Sequence, residues 1–198
     1  MGTTRVLGAF AFVSALSVAS TLHAQTYPTS RDPRNGLRAG RGDAQEAAHG
    51  MKLLSLTPKA AEFDSTAGLT FANSDMAFKA NYIYQGNFSG FSIWDVSNPA
   101  KPVLQSTVVC PTSQGDPSIY GNLLFISAEG GANRKDCAKG GIRDTSDHTA
   151  HMAGVRIFDV TNPKAPRLVK NVETCKGSHT HTRSEQERQE HPVHLRFG

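Results

Sequence analysis

The chain has 198 residues, 38% of them hydrophobic, and its 21 Lys and Arg against 17 Asp and Glu leave a formal charge of +4. That length holds one domain or two small ones. The basic residues are scattered instead of gathered in a stripe with interleaved aromatics, which argues against a nucleic-acid partner, and the 18 Gly and 10 Pro favour turns over long helices.

Residues 1–24 read as a signal peptide. Arg5 supplies the basic start, Val6 to Val18 is an apolar run, and small residues lead to Ala24, where cleavage before Gln25 fits. The run is shorter than the roughly 20 apolar residues that span a bilayer, and no later segment approaches it. The expectation is an exported chain without a membrane span, located in a periplasm, at a cell surface or outside the cell. Residues 25–50 are polar, lack either hydrophobic period and read as a flexible leader. Their Arg41-Gly42-Asp43 tripeptide is what such an Arg- and Gly-rich stretch gives by chance.

From Met51 onward short apolar runs alternate with turn residues. Lys52 to Leu56 is expected as a short strand ended by Thr57-Pro58. One group of strands follows at Asp75 to Phe78, Asn81 to Gln85, Phe91 to Val96 and Val103 to Val109. A second follows at Pro117 to Tyr120, Leu123 to Ser127, Val155 to Val160 and Arg167 to Val172. Four short strands joined by tight turns predict one antiparallel sheet per group.

The two groups echo each other. Residues 90 to 102 read GFSIWDVSNPAKP and residues 154 to 166 read GVRIFDVTNPKAP, identical at seven of thirteen positions. The shared residues are structural candidates: Gly90, Asp95, Asn98, Pro99 and Pro102, matched by Gly154, Asp159, Asn162, Pro163 and Pro166. Asp and Ser side chains can bond nearby turn N–H groups, and Pro presets the turn. Asn81 and Tyr84 correspond to Asn122 and Phe125 at a spacing of 41, whereas Gly90 and Gly154 are 64 apart. The difference is an insertion loop at 130–153. A four-stranded unit of about 41 residues has the size of a propeller blade.

These units resemble the bacterial LVIVD repeat: a strand ending in Asp-Val, then Ser/Thr-Asn-Pro, a second Pro, an outer strand, and Gly115-Asp116 opening the next unit. The resemblance covers residues 51–182 and implies an all-β fold, a partial β-propeller of about two complete four-stranded antiparallel blades plus flanking partial blades. It implies an exported bacterial protein and no established chemistry. A closed ring of six or seven blades needs roughly 250 to 290 residues, and the pattern stops at Thr182, before the polar tail 183–198. The expectation is a truncated member, the alternative being a half-propeller that self-assembles through its open blade faces.

Chemistry is expected at one face, because strand connections of like kind emerge together there. That face collects Cys110, Cys137 and Cys175, of which an oxidising compartment would pair two. Cys137 is expected to bridge Cys110 or Cys175. It also collects His148, His151, His179 and His181, whose imidazoles suit Zn or Cu. The recurring Asp75 and Asp116 are read as turn-forming rather than catalytic residues. No nucleotide cradle or nucleophile elbow is present. The leading expectation is a non-catalytic scaffold that binds a protein or glycan at the cell surface, and the alternative is a copper- or zinc-dependent propeller enzyme.

Overall fold

The computed structural model describes residues 32–40, 43–64, 72–130, 133–142, 146–184 and 194–197. The signal-peptide expectation, and Arg41 and Gly42 of the tripeptide, lie outside them. Two compact units divide the chain, Met1–Lys52 and Leu53–Gly198. The described residues of the first unit form no helix or strand and are held by local bonds, among them Arg34 to Asp32 at 2.6 Å and Arg38 to Asp43 at 2.5 Å.

The described residues of the second unit are all-β apart from one 3-10 turn at Ala61–Phe63. Its first sheet has the order β1 (Asn73–Lys79), β2 (Tyr82–Asn87), β3 (Gly90–Asp95) and β4 (Val103–Val109), every neighbour antiparallel. The second sheet repeats it with β5 (Pro117–Tyr120), β6 (Leu123–Ala128), β7 (Gly154–Asp159) and β8 (Arg167–Glu173). These are two four-stranded meanders, consistent with consecutive blades of a partial propeller. No helix among the described residues is long and apolar enough to cross a membrane.

The echo has a backbone cause. Gly90 and Gly154 hold φ of 147° and 146°, and a Cβ there would lie 1.9 Å from Val108 O and 2.0 Å from Val172 O. Only glycine lets the outer strand come so close. Each third strand then shifts register against the fourth at the same place, between Ile93 and Trp94 and between Ile157 and Phe158. The turns that follow are also duplicates. Asp95 Oδ1 accepts from Ser97 N–H and Oγ, as Asp159 Oδ1 accepts from Thr161 N–H and Oγ1. Asn98 and Asn162 each accept from the N–H two residues on. Pro102 and Pro166 stand just before β4 and β8, where a missing N–H leaves the ladder intact.

The two sheets pack face to face. Tyr84, Phe91 and Ile93 from the first meet Leu124, Ile126 and Phe158 from the second in one buried cluster. Phe91 and Phe158 form an edge-to-face pair with ring centres 4.8 Å apart. Polar ties reinforce the seam: Ser106 Oγ donates to Pro163 O at 2.7 Å, and Lys79 Nζ donates to Asn122 Oδ1 at 2.9 Å.

Two features depart from the sequence reading. Lys52 to Leu56 is not a strand, since residues 51–60 form no regular element. No described strand pairs with this segment, and Ser55 Oγ instead donates to Pro99 O in the turn after β3. The tail, read from the sequence as polar and outside the repeat pattern, contains β10 (His194–Phe197), which pairs antiparallel with β9 (His181–Ser184). β9 also contacts β5, as β5 contacts β1.

Candidate functional site at the insertion face

The insertion is fastened to the sheets at several points. Cys110, at the end of β4, forms a disulfide with Cys137, and Cys175 remains a free, exposed thiol. Within the loop Arg134 and His151 form an antiparallel bridge, Met152 N–H donates to Asn133 O, and the Met152 side chain is fully buried.

Arg156 is the main polar anchor. It sits on β7 with no exposure, 64 positions after Ser92 in the first unit. Its Nη2 donates to Pro111 O at 3.1 Å and Arg134 O at 2.7 Å, and its Nη1 donates to Asn171 Oδ1 at 3.1 Å. Burial pulls its pKa down to about 10, partly opposed by the Asp136 charge, so it stays cationic at neutral pH. Asn171 Nδ2 in turn donates to Lys135 O at 3.1 Å. A guanidinium suits this task because its fixed fork of donors reaches several loop carbonyls at once.

The fastened loop walls a cleft of about 620 Å³ lined by Glu129, Gly130, His148, His151, Ala153, Glu173, Thr174, Cys175 and Lys176. Lys135 pairs with Glu173 at 3.0 Å and donates to His148 O, fixing one wall. The cleft thus offers imidazoles, carboxylates, an ammonium and a thiol within one concave surface.

The four histidines do not converge. His148 and His151 line the cleft, while His179 is exposed outside it. The His181 ring is fully buried at the second sheet, with Nε2 2.6 Å from Ser118 Oγ and Nδ1 2.8 Å from Ser127 Oγ. Both ring nitrogens are therefore engaged by hydroxyls. Among the described residues no three His, Cys, Asp or Glu side chains are placed to hold a metal ion.

Residues 73–109, which contain the whole first sheet, match the family model described as the LVIVD repeat. The chain carries an LVIVD repeat. No curated protein matches it. The match covers Gly90, Asp95 and Asn98 of the first unit, whereas the insertion, Arg156 and the His181 site lie in residues beyond it. Arg156 had a signal in the sequence, a long cation where the echoed segment has Ser92. The serines around His181 had none, because strands far apart in the chain bring them together.

The His181 site has a pH signature. Burial pushes Asp116 up to about 6, with Asp75 alongside adding to the rise against the opposing His181 N–H bond. Burial also pushes His181 from 6.5 down to about 4. As pH falls through this range the unfolded chain takes up a proton that folded His181 refuses, so His181 costs stability on acidification. Asp116 acts in the opposite sense. Its folded carboxyl keeps a proton below about 6 that the unfolded one, with an ordinary value of 3.8, has released, so its contribution is present at low pH and lost as pH rises through 6. The two slopes offset each other between about pH 4 and 6. Asp116→Asn removes one of them, and the variant is expected to lose about 1 kcal/mol more than wild type between pH 6.5 and pH 5. Urea denaturation at both pH values checks this, and matching pH dependence in the two proteins would contradict it.

Proposed function

We propose that this protein is an exported propeller-type scaffold that binds a protein or glycan partner in the cleft beside the insertion. The observation behind this reading is that cleft of about 620 Å³, walled by a loop which the Cys110–Cys137 disulfide and Arg156 hold to the sheets. A rigid, repeated framework lowers the ordering cost of binding at a loop-built surface. Concave mixed surfaces of this size are the usual setting for ligand capture. The disulfide supports an oxidising compartment, and with it the reading of residues 1–24 as a signal peptide.

The test is binding of purified full-length protein to a panel of immobilised glycans and peptides, followed by His148→Ala and Lys176→Ala. A ligand bound in the cleft is expected to lose about tenfold in affinity with either variant, roughly one lost charge-assisted contact. Binding indifferent to both changes would refute the cleft. Stoichiometric copper or zinc in the purified protein, lost on His148→Ala or His151→Ala, would replace this reading with the metal-dependent one.

A further inference from the structure

Ser118 and Ser127 stand 41 positions after Ala77 and Gly86, so the two sheets present different chemistry at the same two places. On the first sheet the following strand arrives against bare backbone. A Cβ at Gly86 would lie 2.0 Å from Gly115 O, and Ser74 Oγ donates to that carbonyl at 3.2 Å. Ala77 beside it packs against the apolar core.

On the second sheet the following strand brings a histidine into a socket of hydroxyls. Besides the Ser118 and Ser127 bonds to the His181 ring, Ser127 Oγ lies 2.9 Å from Ser178 Oγ, and Asp116 Oδ2 accepts His181 N–H at 3.0 Å. Ser127, Ser178, Asp116 and His181 are all buried. One seam is closed by the absence of a side chain and the other by a satisfied polar network.

We infer that these two seams select which strand docks on which sheet, so that the order of the units is written into their faces. Cross-docking fails in both directions. β5 brought onto the second sheet meets the Ser127 side chain where its own approach at Gly115 leaves no room for a Cβ. β9 brought onto the first sheet buries an imidazole where Ala77 and Gly86 offer no hydroxyl, and an unsatisfied buried polar group is costly. Near-identical units are prone to misassembly within and between chains. A group that is costly against the wrong partner is the physical means of suppressing it.

The test uses four full-length proteins: wild type, His181→Ile, Ser118→Ala with Ser127→Gly, and all three changes together. Hydrogen exchange of the β9 amides reads docking, and light scattering after refolding reads misassembly. His181→Ile alone, and the two serine changes alone, are each expected to open β9 roughly 5- to 150-fold more often, as buried polar groups lose their partners. The triple variant is expected to recover most of that protection, since its second seam then resembles the first, and to refold with a larger oligomer fraction than wild type. Equal cost of His181→Ile in the wild-type and serine-depleted backgrounds would overturn the inference. So would a triple variant that refolds with no more oligomer than wild type. If His181→Ile gives too little folded protein, His181→Gln measured in the same two backgrounds supplies the same coupling.

Discussion

Replacing Cys110 and Cys137 together with alanine is expected to destabilise the protein by about 3–4 kcal/mol. The bridge closes a loop with a sequence separation of 27, and the chain entropy regained by an unfolded loop of that size is about 3–4 kcal/mol. Alanine is the better replacement, because Cys110 is fully buried in the apolar cluster and a serine hydroxyl there would add its own desolvation cost. The loss should concentrate in the insertion. Arg156 would keep its bonds to Pro111 and Arg134 only at the cost of ordering a loop no longer tied at Cys137. Urea denaturation of wild type and double variant measures the total, and hydrogen exchange across residues 133–142 locates it. A change below about 1 kcal/mol would show that the bridge lies outside the cooperative unit.

Phe158→Ala is expected to cost about 3–5 kcal/mol, the range for removing a buried aromatic side chain. Phe158 belongs to the cluster shared by the sheets and meets Phe91 edge to face, so its loss opens a cavity between the units as well as within one. Val169→Ala on the exposed part of β8 serves as the control and is expected to stay within about 0.5 kcal/mol of wild type. A Phe158→Ala protein as stable as the Val169→Ala control would mean that the sheets do not share a core.

Most of the strand plan was readable before any coordinates, and the reason is local. Gly90 and Gly154, the Asp-Ser/Thr pairs and the Asn-Pro turns each act over two or three residues, so their spacing survives as a pattern in the chain. Val103–Val109 and Pro117–Tyr120 coincide with β4 and β5, the first preceded by the Asn98-Pro99 turn and the second closed by the Gly121-Asn122 turn. Lys52 to Leu56 shows the limit of this approach. It has apolar residues but no partner strand among the described residues, and periodicity does not reveal whether a partner exists.

The polar features were less legible because they depend on what sits opposite. The choice between Cys110 and Cys175 as partner of Cys137 follows from how the insertion folds back over the end of β4, which residue spacing does not determine. His179 and His181 are near neighbours in the chain, yet one is exposed and the other fills a socket on the second sheet. Arg156 marked itself only by standing where the first unit has serine. Repeat comparison therefore located the departures from the pattern, while packing decided what each departure does.

The decisive measurement is the set of cross-strand proton contacts in solution by nuclear magnetic resonance. Consecutive four-stranded units predict Tyr84 opposite Ile93, Phe125 opposite Ile157, and a Phe91–Phe158 ring contact between the sheets. Helical contact patterns in residues 90–102 or 154–166, or β4 paired edge to edge with β5 in one continuous sheet, would contradict the account.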